Sequence, residues 1–209
     1  MKNTATTTSS SNTCAVISPC LVNKHLTGLV IDGTGVSESE IANCIDAEIA
    51  PIAVALRLML QLPENAFMSP ADVNDYLFTE GIIARELSDV FGGSAWDEMH
   101  IGNLIDWLQA SEQPKTELRG AAFFFHQHVT TILKCAGEGF DFIDSLPQPP
   151  KGTGVRIRCR DAEALRKCLA WYTSSKFSKA EQAYVEANPT WRAEHFESDP
   201  RVFQAYAWR

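Results

Sequence analysis

The chain is poor in the features that would most quickly assign it. It holds six cysteines (Cys14, Cys20, Cys44, Cys135, Cys159 and Cys168), but no two form a CxxC pair, and the Cys14–Cys20 spacing fits no common zinc pattern. No metal is therefore expected. No cofactor is expected either, because Asp32-Gly33-Thr34-Gly35 lacks both the spacing of a phosphate loop and its Lys-Ser/Thr ending. No apolar run approaches the roughly 18 residues that cross a bilayer, so no membrane partner is expected. The opening residues have one lysine, Lys2, and no apolar core, which speaks against a secretory signal. No acid precedes Asp32, yet arginine is too scarce there for a transit peptide. A cytoplasmic protein with reduced thiols is the expectation. Positive charge is also short: 18 Lys and Arg stand against 26 Asp and Glu, giving a net charge of -8 and a pI near 5.1. That balance argues against non-specific nucleic-acid binding, which needs a basic face.

What is present is apolar material. Of the 209 residues, 45% are hydrophobic, enough for a core in one domain. Residues 1–13 are rich in Thr, Ser and Asn and read as disordered. Val16 to Val22 is a weak strand. The tail is drawn as 1–23 and a single domain as 24–209.

Leu29-Val30-Ile31 and the glycines after it read as a short strand and turn. Ser37 and Glu40 have capping-box spacing, which predicts a helix from Glu38 to about Ile49. Pro51 forces a break near Ala50 and opens a second helix to Leu62. That helix is apolar on nearly every face, as a buried central helix is. Ser69-Pro70-Ala71-Asp72 starts a third helix, and residues 80–91 and 97–110 read as two more.

The second half changes character. Ala121 to Lys134, Phe140 to Leu146, Val155 to Cys159 and Val202 to Trp208 are strand-like, rich in Phe, Val, Ile and Thr. Asp161 caps a helix to Tyr172, and Ser178 with Glu181 caps another to Ala187. Helices first and strands later predict an α+β domain, its helical first half packed on an antiparallel sheet from the second.

Two residues stand out chemically. If the strands around Ala136-Gly137 form a hairpin, His128 and Asp144 fall opposite one another or nearly so, with Cβ atoms roughly 5 Å apart. The carboxylate can then accept a hydrogen bond from the imidazole and fix its tautomer for proton transfer. A purely structural hydrogen bond is the alternative. His126, two residues earlier, is the rival histidine.

The segment His128-Val129-Thr130-Thr131-Ile132-Leu133-Lys134, a turn, then Phe140-Asp141-Phe142-Ile143-Asp144-Ser145-Leu146 resembles the active-site hairpin of papain-like cysteine proteases. Among them the Josephin and MINDY deubiquitinases are the most similar. More loosely, Pro51 to Gln61 resembles the central helix that follows their catalytic cysteine. The resemblance implies a papain-like fold, thiol-protease activity and a ubiquitin or ubiquitin-like partner. It also implies a nucleophile at the N-terminus of the central helix, where the helix dipole favours a thiolate.

The matching dipeptide is Ala50-Pro51, and alanine has no nucleophilic atom. Three readings stay open: a natural pseudoenzyme, a cysteine replaced by alanine, or another cysteine as nucleophile. Cys44 is the alternative nucleophile. It stands six residues before Ala50, where the families often carry an oxyanion-hole glutamine. Cys14 and Cys20 fall in or beside the tail, where a catalytic role is least expected. Cys135, Cys159 and Cys168 have no base beside them in the pattern. Arg156, Arg158 and Arg160 alternate, which suits a solvated sheet face or, as the alternative, a basic stripe facing an acidic partner. A structural or adaptor domain with an incidental His–Asp pair is the reading from outside enzymology. The oligomeric state is not legible.

Overall fold

Cys14 to Asn23, which the sequence places in a tail and a weak strand, belong to a buried helix instead. In the computed structural model, which describes residues 13–28, 42–63, 66, 68, 70–110, 117–135, 137, 139–148, 153–195 and 199–209, helix α1 spans Cys14–Leu26. Thr13 precedes it, and the Thr13 carbonyl accepts the amides of Val16 and Ile17 at 3.0 Å each. Strand propensity at Val16, Ile17 and Val22 argues against a helix, as does Pro19, whose interior position removes one backbone donor. Burial overrides both: α1 is buried on nearly every side, from Cys14 through Leu26.

The helix is held along one face of a six-stranded antiparallel sheet. Its strands are β1 (Asp89–Ser94), β2 (Arg119–Phe125), β3 (His128–Lys134), β4 (Phe140–Gln148), β5 (Thr153–Cys159) and β6 (Val202–Trp208), in the spatial order β1-β6-β2-β3-β4-β5. Ser18 Oγ accepts from Thr131 Oγ at 3.0 Å, and His25 Nε2 lies 2.7 Å from the carbonyl of Lys134, so α1 is tied to β3 at two heights. Close approach to β2 depends on Gly120, where a Cβ would come within 2.8 Å of Val22 Cγ1.

Both faces of the sheet are covered. Ala122, Val129, Leu133 and Ile143 pack with α1 and with α2 (Ala50–Met59) and α3 (Pro70–Thr79). Phe123, Phe125, Ile132, Phe142 and Phe203 pack on the other side, against α4 (Glu98–Gln109), α5 (Ala162–Ser175) and α6 (Lys179–Ala187). This double coverage explains why every residue of β3 is buried and why no in–out alternation marks it. The architecture is α+β, with helices on two sides of the sheet rather than a helical half set against a sheet half.

Several expectations are corrected. The helix opened by Ala50-Pro51 is not the central one: only Ala53 and Leu56 are buried, while Val54, Leu58 and Met59 are more than half exposed. The segment before it is helical over 42–49 but turns π-helical at Ile45–Ile49. Residues 80–88 are irregular, and β1 takes the place of the end of the helix expected over 80–91. The continuous strand over Ala121–Lys134 is two strands, folded at His126-Gln127, where both residues take positive φ (50° and 58°) as a type I′ hairpin turn demands. Neither residue is the Gly, Asn or Asp that usually marks such a turn. The helices capped by Asp161 and by the Ser178–Glu181 box form with those caps in place. The strand at Leu29–Ile31, the capping box at Ser37–Glu40 and the Ser69 cap lie outside the described residues.

Candidate active site

The turn at His126-Gln127 makes His128 the first residue of β3. On the other side, the β3–β4 register runs from Lys134↔Phe140 to Thr131↔Ile143. One step further sets Asp144 across from Thr130, so His128 reaches it on the diagonal, within range for a long side chain. His128 Nε2 lies 2.8 Å from Asp144 Oδ1. The same oxygen accepts the Leu146 amide at 2.9 Å. Gly154 of β5 lies against the backbone here, where a Cβ would meet the Asp144 carbonyl at 2.8 Å.

The other partner of His128 is a thiol. Cys14, the first residue of α1, is in side-chain hydrogen-bond contact with the imidazole. Asp144 takes the Nε2 side of the same ring. Burial works against a charged imidazole, but the hydrogen bond to Asp144, the contact with Cys14 and the charges of both outweigh it and push the His128 pKa up to about 9. Burial likewise raises the Asp144 carboxyl, yet His128, the Leu146 amide and the Lys176 ammonium together hold it below its usual value. The relative exposures are 4% for Cys14, 7% for His128 and 5% for Asp144, so the three meet out of bulk water.

Helix α5 closes the site from the other side of the sheet. The Tyr172 ring packs on Phe142, with centroids 5.0 Å apart, and its hydroxyl is pushed well above the usual phenol range by burial and by Asp144 and Cys14. Lys176, just past the end of α5, sits 4.7 Å from the Tyr172 ring centroid with its Nζ 4.0 Å from Asp144 Oδ2.

The other singled-out residues lie elsewhere. The nucleophile position was expected at Ala50, but the sulfur against His128 is that of Cys14, because α1 and not α2 occupies the centre. Cys44 is buried beside Lys24 and Glu48; burial raises its pKa, while the Lys24 ammonium lowers it. His126 points at the Pro200 carbonyl, 2.9 Å away, and stacks on Phe125. The arginine stripe is committed locally: Arg158 pairs with buried Asp141 at 2.6 Å and Arg160 with Asp161 at 3.0 Å. Cys14 is a residue for which the sequence gives the least expectation of a catalytic role, because it reads as part of the tail. The available signal was a threonine at a capping position followed by a cysteine and an apolar stretch, Thr13-Cys14-Ala15-Val16-Ile17.

No protein family and no curated protein matches the chain. Among solved structures it is similar to the Pseudomonas avirulence protein AvrPphB, at 10% identity and a TM-score of 0.45, over 94% of this chain and 90% of that one.

Proposed function

We propose that this domain is a papain-like cysteine peptidase with Cys14 as nucleophile, His128 as its proton partner and Asp144 as the orienting carboxylate. One observation carries the reading. A cysteine opens the most buried helix and touches a histidine whose far nitrogen is held by a carboxylate.

With its pKa near 9, His128 carries a proton at neutral pH that it can give to a leaving group, and the reacting form of the pair is the one in which Cys14 has lost its own. The sulfur then attacks the carbonyl carbon of an amide. His128 hands its proton to the departing amine, leaving a thioester on Cys14. Water, deprotonated by the now neutral imidazole, hydrolyses that thioester. The first turn of α1 presents its amide end to the developing oxyanion. For the substrate we propose a ubiquitin-like conjugate; the support is the likeness of the His128–Leu146 hairpin to deubiquitinases. On this reading neither Ala50 nor Cys44 takes part in the reaction, and the inert-site interpretation built on Ala50 is not needed.

The test is covalent labelling. A thiol-directed peptidase inhibitor should modify Cys14, found by peptide mass mapping, and His128→Ala should abolish the modification. A ubiquitin carrying a C-terminal electrophile tests the substrate class separately. No modification of Cys14 by either reagent would remove the peptidase reading. A second reading, a non-catalytic adaptor domain, draws on the burial of all three residues. Binding of a ubiquitin-like protein unchanged by Cys14→Ala, with no labelling, would favour it.

A further inference from the structure

The contacts of Asp144 are lopsided. Among the described residues its two side-chain hydrogen bonds, from His128 Nε2 at 2.8 Å and from the Leu146 amide at 2.9 Å, fall on Oδ1. A carboxylate held by one oxygen retains freedom to turn about its Cβ–Cγ bond, and every such turn moves the acceptor that aims the imidazole. Among the described residues the charged group at Oδ2 is the Lys176 ammonium, 4.0 Å away. That ammonium is itself held in place. Lys176 caps α5, with its amide bonded to the Thr173 carbonyl at 3.2 Å. Its charged end lies 4.7 Å from the Tyr172 ring, a cation–π distance, and Tyr172 rests on Phe142 of β4. Phe142 is two residues from Asp144 on the same strand. The loop of contacts therefore starts and ends on β4, which makes its geometry stiff.

We propose that Lys176 is a positioning residue of this site: seated over Tyr172, its ammonium anchors the second oxygen of Asp144 and so fixes the carboxylate that orients His128. The inference rests on the reading of Cys14, His128 and Asp144 as one catalytic set. The side chain is 28% exposed, so its charge keeps part of its hydration while acting on a carboxylate only 7% exposed. The titratable groups facing Asp144 are His128 from β3 and Lys176 and the Tyr172 hydroxyl from α5, with the Cys14 thiol of α1 beyond the imidazole.

The experiment uses the full chain with Lys176→Met and Lys176→Arg, neither of which disturbs a buried apolar contact. The Asp144 carboxyl is titrated by carbon NMR, and the pH profile of Cys14 alkylation is measured beside it. Lys176→Met should raise the Asp144 midpoint by roughly half a pH unit, the size expected of a partly exposed ion pair, and shift the acid limb of alkylation upward with it. Lys176→Arg should restore both. An unmoved Asp144 midpoint in Lys176→Met, with wild-type alkylation intact, overturns the Lys176 inference alone. Absence of Cys14 alkylation in the wild-type chain overturns the catalytic reading and any positioning role with it.

Discussion

The His128–Asp144 pair can be tested without any substrate, through its protons. The imidazole has a folded-state pKa of about 9 against 6.5 for an unperturbed histidine. At about 1.36 kcal/mol per unit, the difference corresponds to about 3 kcal/mol favouring the folded state. The sign follows from the direction of the shift. A histidine raised on folding contributes fully below its unfolded pKa, so the stabilisation is complete below about pH 6.5 and is lost as pH rises through 9. Asp144 reports the other side of the same interaction: its carboxyl is lowered on folding, so its contribution is present above the unfolded carboxyl value and fades as pH falls through the folded one. The two describe one pair and are not summed. Asp144→Asn keeps the shape and removes the charge. It should bring the His128 midpoint down by more than one unit, because burial, which opposes the charged ring, then meets only the Cys14 contact. Proton–carbon NMR of the histidine ring reads the midpoint directly. Urea unfolding between pH 6 and pH 9 should show the wild type losing up to about 3 kcal/mol more than Asp144→Asn across that interval. A wild-type His128 that titrates near 6.5, or a midpoint unmoved by Asp144→Asn, would show that the carboxylate does not hold the imidazole in its charged form.

Three further outcomes follow from packing. Gly120→Ala should cost about 1–3 kcal/mol in chemical denaturation, since its Cβ would press on Val22 at 2.8 Å, and Val22→Ala should recover part of that loss; a neutral Gly120→Ala would show that α1 can step back. Arg201→Met should cost about 3–5 kcal/mol, because it removes the guanidinium that bonds both oxygens of the buried Asp199 carboxylate, at 2.9 and 2.6 Å. A thermal melt shifted by less than a degree would contradict it. Gln127→Gly should stabilise by about 0.5–1 kcal/mol by releasing an exposed side chain from a φ of 58°, measured by the same unfolding assay, and any destabilisation would argue that the Gln127 side chain is needed.

Local chemistry was the part of this molecule that could be read in advance. Asp161 and the Ser178–Glu181 box announce α5 and α6 because a cap is a short-range hydrogen bond between neighbours in sequence. The strands β4, β5 and β6 carry Phe, Ile, Val and Tyr in short runs, and the His128–Asp144 contact needs only a hairpin between two of them. What stayed hidden depends on distant contacts. Pro19 and three β-branched residues make α1 a poor helix by propensity, and only its enclosure by β2, β3 and the neighbouring helices makes it helical. Conversely, Pro51–Leu62 looked central because it is apolar all round, but apolarity does not say which of two such segments wins the centre. With the centre assigned to Pro51–Leu62, the sequence gives no reason to set Cys14 against His128. The His126-Gln127 turn was invisible for a related reason: its residues adopt positive φ under the pull of the strands and not by their own preference.

The place of β6 has a consequence for how the molecule can be assembled. Val202–Trp208 lies between β1 and β2, bonded to both: Asp89 to Ser94 along one edge and Gly120 to Phe125 along the other. A chain that paired its strands in order of sequence would have to leave β1 and β2 unjoined, with two open edges, until β6 arrived to fill the gap. Closing such a distant pairing late is slow, and open edges in the interval invite association with other chains. Residues 202–208 thus act as a keystone, so that clipping this one strand would cut β1 off from the sheet and lay open the edge of β2, about as far along the chain from Cys14 as any described element lies.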